Sequence, residues 1–388
     1  MSYLFVIASL KVGGVQSSLN SLYNRLKLNK DISIKVLPLN DNGSCDIAFA
    51  DNLLPVPALL SAYHGDFKNL KGSTKFLALV IKVIKRLAIK LNIDFETFYD
   101  RIVVRLIERK YHFDGIVAYA EGEPTKFCSF FKNSNKIAWI HCDYRFSMWA
   151  DKDYSKIYEK FRKIVCVSEY TANSFKDYYS NVKGRVCAIH NLLDADRVSQ
   201  MAESKTEDCR FVSEAFNIIS VGRVVELKQM SLIPEIVSRV IKKVCNIRWY
   251  VLGPEGDDID NLLSNIKKYN VENNVFYLGN HTNPYPYFKK SQLLVSLSRT
   301  EACPMIFCEA KILRLPVVTN NFGSAYEFIE EGKTGIICPI DKISDVIEEL
   351  YYNKEKYDEI KKYDYDNETE SVRVVDQVVE LLLGNKKE

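Results

Sequence analysis

No apolar run in this sequence approaches the roughly 18 residues of a membrane-spanning helix. The chain reaches Tyr3-Leu4-Phe5-Val6-Ile7 without a basic n-region or a small-residue cleavage site, so neither an export signal nor a transmembrane helix is expected. Cys-x-x-Cys pairs are missing as well. The ten cysteines are scattered singly, most of them in apolar runs such as Ile164-Val165-Cys166-Val167 and Ile336-Ile337-Cys338, which reads as reduced core thiols of a cytoplasmic protein. The five histidines, His64, His112, His141, His190 and His281, make no ligand pair at metal spacing with those cysteines, and no metal site is expected. An excess of charge of one sign is also lacking. Lys+Arg 53 against Asp+Glu 50 leaves +3, too balanced for a nucleic-acid binder, so any basic function must be local.

What is present fits a soluble globular chain: 47% hydrophobic and 27% charged residues exclude a disordered or collagenous protein. At a prior of about 150 residues per domain, 388 residues suggest two to three domains. Short apolar runs at Leu4-Ile7, Ile32-Leu37, Gly115-Tyr119, Ile137-Ile140, Lys163-Val167 and Val186-Ile189 alternate with helical patterns. A second series follows at Phe216-Val221, Arg248-Leu252, Val275-Leu278, Leu293-Ser296, Pro316-Val318 and Gly335-Ile337. Such alternation means parallel sheets covered by helices. The expected fold is α/β, two Rossmann-like domains facing an interdomain cleft that receives their carboxyl-end loops. Residues 1–193 form the first domain and 194–215, polar and without a strong apolar period, the connection; 216–370 form the second domain and 371–388 a C-terminal helix and tail.

The stretch 68–90 is basic and helical in period. At about 100° per residue Lys75, Lys82 and Arg86 share one face, and Phe76, Val80, Ile84, Leu87 and Leu91 lie opposite. Two readings follow: a helix docking on anionic lipid at the inner face of the cell membrane, or an ordinary surface helix with its apolar face packed inward.

Three motifs carry chemistry. Lys11-Val12-Gly13-Gly14-Val15-Gln16-Ser17-Ser18 joins the opening strand to a helix, and two glycines there let backbone amides approach an anion that the helix dipole favours, although an ordinary turn has the same composition. Ser220-Val221-Gly222-Arg223-Val224-Val225-Glu226-Leu227-Lys228 places an arginine fork and a lysine ammonium just after a strand, where a diphosphate would bind. Arg299-Thr300-Glu301-Ala302-Cys303-Pro304-Met305-Ile306-Phe307-Cys308-Glu309 puts Glu301 in a loop and Glu309 inside the following helix, two carboxylates able to accept hydrogen bonds from sugar or ribose hydroxyls. Their alternative is two solvent glutamates, against which the apolar Met305-Ile306-Phe307 speaks.

These residues, with Pro316-Val317-Val318, Gly323-Ser324-Ala325-Tyr326-Glu327, Gly332-Lys333-Thr334-Gly335 and the earlier Asn283-Pro284-Tyr285-Pro286-Tyr287-Phe288, resemble the donor half of retaining family 4 glycosyltransferases with the GT-B fold, of the type that builds bacterial surface polysaccharides. The resemblance covers about Phe216 to Pro339 and is looser before it, resting on Gly13-Gly14, Trp139-Ile140-His141-Cys142-Asp143, Val167-Ser168-Glu169 and His190-Asn191-Leu192-Leu193-Asp194. It implies a hexosyltransferase that moves a sugar from a nucleotide diphosphate donor, UDP being the expected nucleotide, to an acceptor glycan or lipid-linked glycan, with no cofactor, metal or nucleic acid. Arg223 and Lys228 would hold the diphosphate, Glu301 the transferred sugar and Glu309 the ribose. Gly222 and the backbone of Cys303, Pro304, Met305 and Ile306 would complete the donor site, with Gly13 and Gly14 approaching the phosphate from the first domain and His141 facing sugar or acceptor.

The sequence departs from that pattern at Ala302, Gln229 and Arg314, where glycines are usual, and at Cys303, where a bulky residue is usual. Arg314 implies a different end for its helix. The rival readings are a sugar-nucleotide epimerase or phosphorylase of the same fold, and a catalytically silent subunit that binds nucleotide sugar or glycan.

Overall fold

The computed structural model describes residues 1–10, 13–40, 48–55, 57–64, 67, 70, 72–149, 153–206, 208–212 and 214–384. The chain divides into two compact units, one of Met1–Leu192 with Ser371–Glu388 and one of Leu193–Glu370. The first contains β1 (Ser2–Ser9), β2 (Ser33–Asn40), β3 (Gly115–Ala118), β4 (Lys136–Ile140), β5 (Lys163–Cys166) and β6 (Val186–Ala188), in the order β2-β1-β3-β4-β5-β6. The second contains β7 (Phe216–Val221), β8 (Ile247–Leu252), β9 (Val275–Gly279), β10 (Leu293–Ser296), β11 (Val317–Asn320) and β12 (Gly335–Cys338), in the order β12-β11-β10-β7-β8-β9.

Neighbouring strands in both sheets pair in parallel, which requires a crossover on a sheet face after each strand. Both faces of the second sheet are therefore covered. Ile218, Trp249, Val251, Leu293 and Val295 feed one core, and their neighbours Ile219, Tyr250, Leu252 and Leu294 feed the other. Strands buried on both sides read as continuous apolar runs, which is why inner strands such as β3, β4 and β10 stand out in the sequence.

The described residues of 194–215, expected as a connection, group with the second unit. Asp194 caps the helix Ala195–Ala202 by accepting from the Arg197 amide at 3.0 Å, Val198 and Ala202 are buried, and Asn283 donates to the Met201 carbonyl at 2.8 Å. A helix anchored by two apolar residues and a cap leaves little periodic signal. At the other end, the helix Asn367–Leu383 crosses back: Val374, Val378, Leu381 and Leu382 are buried, Tyr3 donates to the Leu382 carbonyl, and Arg162 donates to that of Leu381 at 2.8 Å. The part beginning at Ser371 thus completes the first unit.

The helix Gly72–Lys90 forms, but its apolar face does not pack inward. Ala78, Ile81 and Ala88 are its buried residues, whereas Phe76, Val80, Ile84, Leu87 and the following Leu91 are exposed. Two of the three buried residues are alanines, whose small side chains permit close approach to the neighbouring helices. Among the described cysteines none is paired, and Cys209 and Cys245 are exposed rather than in a core.

Candidate functional site

At the carboxyl end of β7 the chain turns at Gly222, whose φ of 146° is one that side-chain-bearing residues rarely adopt. The Gly222 amide donates to the Leu252 carbonyl at 2.9 Å, so the loops after β7 and β8 run together. A Cβ on Gly253 would lie 2.0 Å from the Gly222 carbonyl oxygen, and one on Gly256 would lie 2.4 Å from that of Val224. These two glycines, which the sequence motifs did not single out, let the β8 loop brace the β7 loop. The brace leaves Arg223 exposed, with no side-chain partner among the described residues.

Beyond Arg223 a short 3-10 turn, Glu226–Lys228, aims Lys228 at Glu301, and the ammonium and carboxylate form an ion pair. Both side chains are largely covered, at 25% and 16% exposure, so water screens the pair less than it would a surface bridge. Glu301 is held in place. Ser298 Oγ donates to its Oε1 at 2.7 Å, Ser324 Oγ to its carbonyl at 2.5 Å, and the Arg299 amide ties the same loop to the Leu227 carbonyl at 2.9 Å. Ser298 and Ser324 are further positioning residues: Ser324 lies in the Gly323-Ser324-Ala325 motif without a role assigned from sequence, and Ser298 shows beforehand only as a small polar residue just after a strand.

The next helix, Met305–Ile312, starts behind Pro304, with no side chain capping its first turn and no acidic residue in it. Amides at an uncapped helix start favour an anion. Cys303 lies in the preceding loop with its sulfur 4.0 Å from that of Met305, and Met305 and Ile306 open the helix. Glu309 takes a separate partner: Tyr285 donates to its Oε1 at 3.1 Å, and desolvation pushes the carboxyl up to about 7. Burial, with the Glu309 carboxylate next, holds the Tyr285 hydroxyl well above the usual phenol range. The helix ends as it would with glycine, contrary to expectation. Arg314 adopts φ 52°, its amide bonds to Lys311, and the Leu315 amide reaches back to Ala310 at 2.8 Å.

In the first unit, Gly13 precedes the helix Gly14–Leu26, whose start also has no side-chain cap. Gly13 has an extended φ of -178°, and a Cβ on Gly14 would meet nothing within 4 Å, so the unit itself does not demand glycine at either position. Lys11 and Val12 lie outside the described residues. His141 follows β4; its amide donates to Glu121 Oε2 at 2.8 Å and its ring lies 4.9 Å from that of Tyr119. Both ring nitrogens are buried without a hydrogen-bond partner among the described residues, and burial pulls the imidazole down to about 3, keeping it neutral. Tyr119 is fixed in turn by Ser18 at 2.9 Å, which also donates to Asn191 at 2.8 Å. In the same unit the ends of β1 and β2 border a polar cavity of about 410 Å³ lined by Ser9, Asn40, Tyr63, Lys85, Glu96 and Glu123. Glu121, Tyr119 and this cavity went unrecognised in the sequence, although each follows from the rule that ligands meet the carboxyl ends of parallel strands.

Known proteins share this architecture. An Anabaena protein, HepE, crystallised with UDP and glucose, superposes at a TM-score of 0.71 with 16% identity, over 98% of this chain and 100% of that one. TarM gives the same TM-score, 0.71, at 16% identity over 98% of each chain. The fold is GT-B. Residues 203–367 match the family model described as glycosyl transferases group 1, which supports a GT-B glycosyltransferase. By sequence, an uncharacterised glycosyltransferase of Methanocaldococcus jannaschii is 28% identical over 57% of this chain and 57% of its own length. The poly(ribitol-phosphate) alpha-N-acetylglucosaminyltransferase of Staphylococcus aureus is 25% identical over 58% of this chain and 45% of its own. The match thus spans about half the length of these relatives.

In this GT-B chain the second unit brings Gly222, Lys228 and Glu301 into one braced cluster, with Cys303 and Pro304 continuing from it. Glu309 stands apart from that ion pair in its bonding, and His141, Gly13 and Gly14 belong to the other unit. Among the described residues no group of three or more His, Cys, Asp or Glu side chains could hold a metal ion, and no helix is long and apolar enough to cross a membrane.

Proposed function

We propose that this chain is a retaining hexosyltransferase that moves a sugar from a UDP-sugar to an acceptor glycan or lipid-linked glycan, on the cytoplasmic side, in surface polysaccharide synthesis. The observation that carries the reading is the braced Lys228–Glu301 pair beside an unpartnered Arg223 and an uncapped helix start. Arg223 and Lys228 would bind the diphosphate, and their attraction grows as negative charge develops on the oxygen leaving the sugar. Glu301 would accept hydrogen bonds from the transferred sugar, and Glu309 from the ribose. Gly222, Gly13, Gly14 and the backbone from Cys303 to Ile306 would admit the phosphates.

Retention would come from attack on the face the nucleotide leaves, with a leaving phosphate oxygen accepting the acceptor's proton. The two cations and the helix start would then supply the charge stabilisation that a metal ion gives elsewhere. His141, neutral and with both ring nitrogens unpaired, would meet a hydroxyl as hydrogen-bond partner and not as a cation. The polar cavity at the ends of β1 and β2 would take part of the acceptor. Relatives support the chemistry: HepE binds UDP-glucose, and a Campylobacter jejuni relative is an N-acetylgalactosaminyltransferase acting on a diphospho-undecaprenol.

The test is nucleotide release from a panel of UDP-, GDP- and ADP-sugars with EDTA present, followed by NMR of the product's anomeric centre. The reading expects UDP release without metal and a product that keeps the donor's configuration. Nucleotide-sugar binding without release from any donor and acceptor pair would instead mark a silent binding subunit, and an inverted product would end the retaining assignment.

A further inference from the structure

The helix Gly72–Lys90 shows the protein a narrow stripe and shows solvent a wide apolar one. Phe76 is 70% exposed, Val83 56% and Leu87 54%, with Leu79, Val80 and Ile84 also exposed on the same arc. Monomers seldom leave such a contiguous surface uncovered. Basic residues border this arc: Lys75 and Lys82 lie over the Phe67 ring at 5.1 and 4.0 Å. From Phe67 to Ile93 the sequence has no acidic residue but holds Lys68, Lys71, Lys75, Lys82, Lys85, Arg86 and Lys90.

We propose that this helix is an interfacial anchor that lays its exposed apolar arc into an anionic bilayer while its bordering lysines and arginine meet the lipid headgroups. The charge decides the occupant. A second copy would bring an equally basic border against this one, and like charges facing each other oppose association, whereas anionic headgroups complement them. The helix is not long and apolar enough to cross a membrane, so it lies along the surface, about 28 Å of it at 1.5 Å per residue. The orientation reverses the simpler reading of a basic face pressed on lipid: the hydrocarbon-facing element is the aliphatic arc, and the cations are its edge.

The experiment is sedimentation of the full chain with phosphatidylglycerol–phosphatidylethanolamine vesicles and with phosphatidylcholine vesicles. The anionic vesicles should bind. Replacing Phe76, Val83 and Leu87 together by serine should lower partitioning at least ~100-fold with the circular dichroism spectrum unchanged, since these side chains are exposed. Replacing Lys75, Lys82 and Arg86 by glutamine should lower it about fivefold per charge at low salt, and less at high salt. As a second readout, Phe76→Trp should add emission that brominated lipid quenches. Equal partitioning of the serine variant and the parent, or added emission from the Phe76→Trp variant that brominated lipid leaves unquenched, overturns the proposal. So does a lipid-free dimer that the serine variant dissociates, which would make a second copy the occupant.

Discussion

Glu309 sits within the Met305–Ile312 helix with its carboxyl desolvated and bonded by Tyr285, and its midpoint is moved from 4.5 to about 7. Between these values the folded chain keeps a proton that the unfolded chain has lost, so this contribution to stability is full below 4.5 and is lost as pH rises through about 7. At pH 8 the ionised carboxylate costs about 2 to 3 kcal/mol, the lower figure allowing for the residue's partial contact with water. Glu309→Gln removes that cost and can still accept from Tyr285 through its amide oxygen. The variant should therefore be more stable than the parent by about 2 kcal/mol at pH 8 and nearly equal to it at pH 4.5.

Binding should move the other way. If ribose hydroxyls donate to the carboxylate, UDP affinity of the parent should rise about tenfold from pH 6 to pH 8, as the ionised fraction climbs from roughly a tenth to nine-tenths. Glu309→Gln should lose this rise; comparing the two proteins cancels the titration of the ligand phosphate. The assay is urea unfolding at both pH values in a Trp139→Phe, Trp149→Phe background, where Trp249 reports on the second unit's core, with calorimetry of UDP binding alongside. Equal stability gains at both pH values, or a parallel pH dependence of affinity in the two proteins, would refute the reasoning.

Arg223→Ala and Lys228→Ala should each lower turnover roughly a hundredfold, as expected for losing a donor worth about 3 kcal/mol to the transition state, and Arg223→Lys should rescue only in part; steady-state rates with the true donor check this. Glu301→Gln should reduce turnover while leaving the affinity for free UDP, which lacks the sugar, nearly unchanged by calorimetry. Gln229→Gly and Arg314→Gly, relieving φ values of 51° and 52°, should each raise stability by about 1 kcal/mol, measured as a shift in the urea midpoint of the second unit.

The strands were legible because a parallel sheet buries both faces, so Phe216–Val221 or Lys163–Cys166 announces itself without knowledge of its partners. Faces and pairings were harder to read. Periodicity divides the Gly72–Lys90 helix into stripes, but it does not say which stripe meets the protein; the contact fell to Ala78, Ile81 and Ala88 because neighbours could approach there. Likewise Lys228 and Glu301 stood out as charges at strand ends, yet residues 73 positions apart give no sign of an ion pair between them. The glycine departures behave similarly. Arg314 is expected to end its helix differently, but the backbone there is left-handed, as it is at Gln229, so both positions carry strain that glycine would not.

The ion pair also bears on how a donor would enter. A carboxylate that simply neutralised Lys228 would compete with an arriving diphosphate, but an ammonium carries three N–H donors and Glu301 occupies a limited part of that capacity. Ser298 already supplies Glu301 with a second donor, so the carboxylate would remain satisfied if Lys228 turned part of its hydrogen bonding toward a phosphate. If Lys228 binds phosphate and Glu301 the sugar, as proposed, the same bridge would fix the angle between them before any donor arrives, lowering the ordering cost at the moment of binding. On this view Ser298 and Ser324, which hold the side chain and the backbone of Glu301, would set the register between diphosphate and sugar. Ala302, in the place where glycine is usual, sits beside that register and is buried, so it would act on which sugar fits more than on whether transfer occurs.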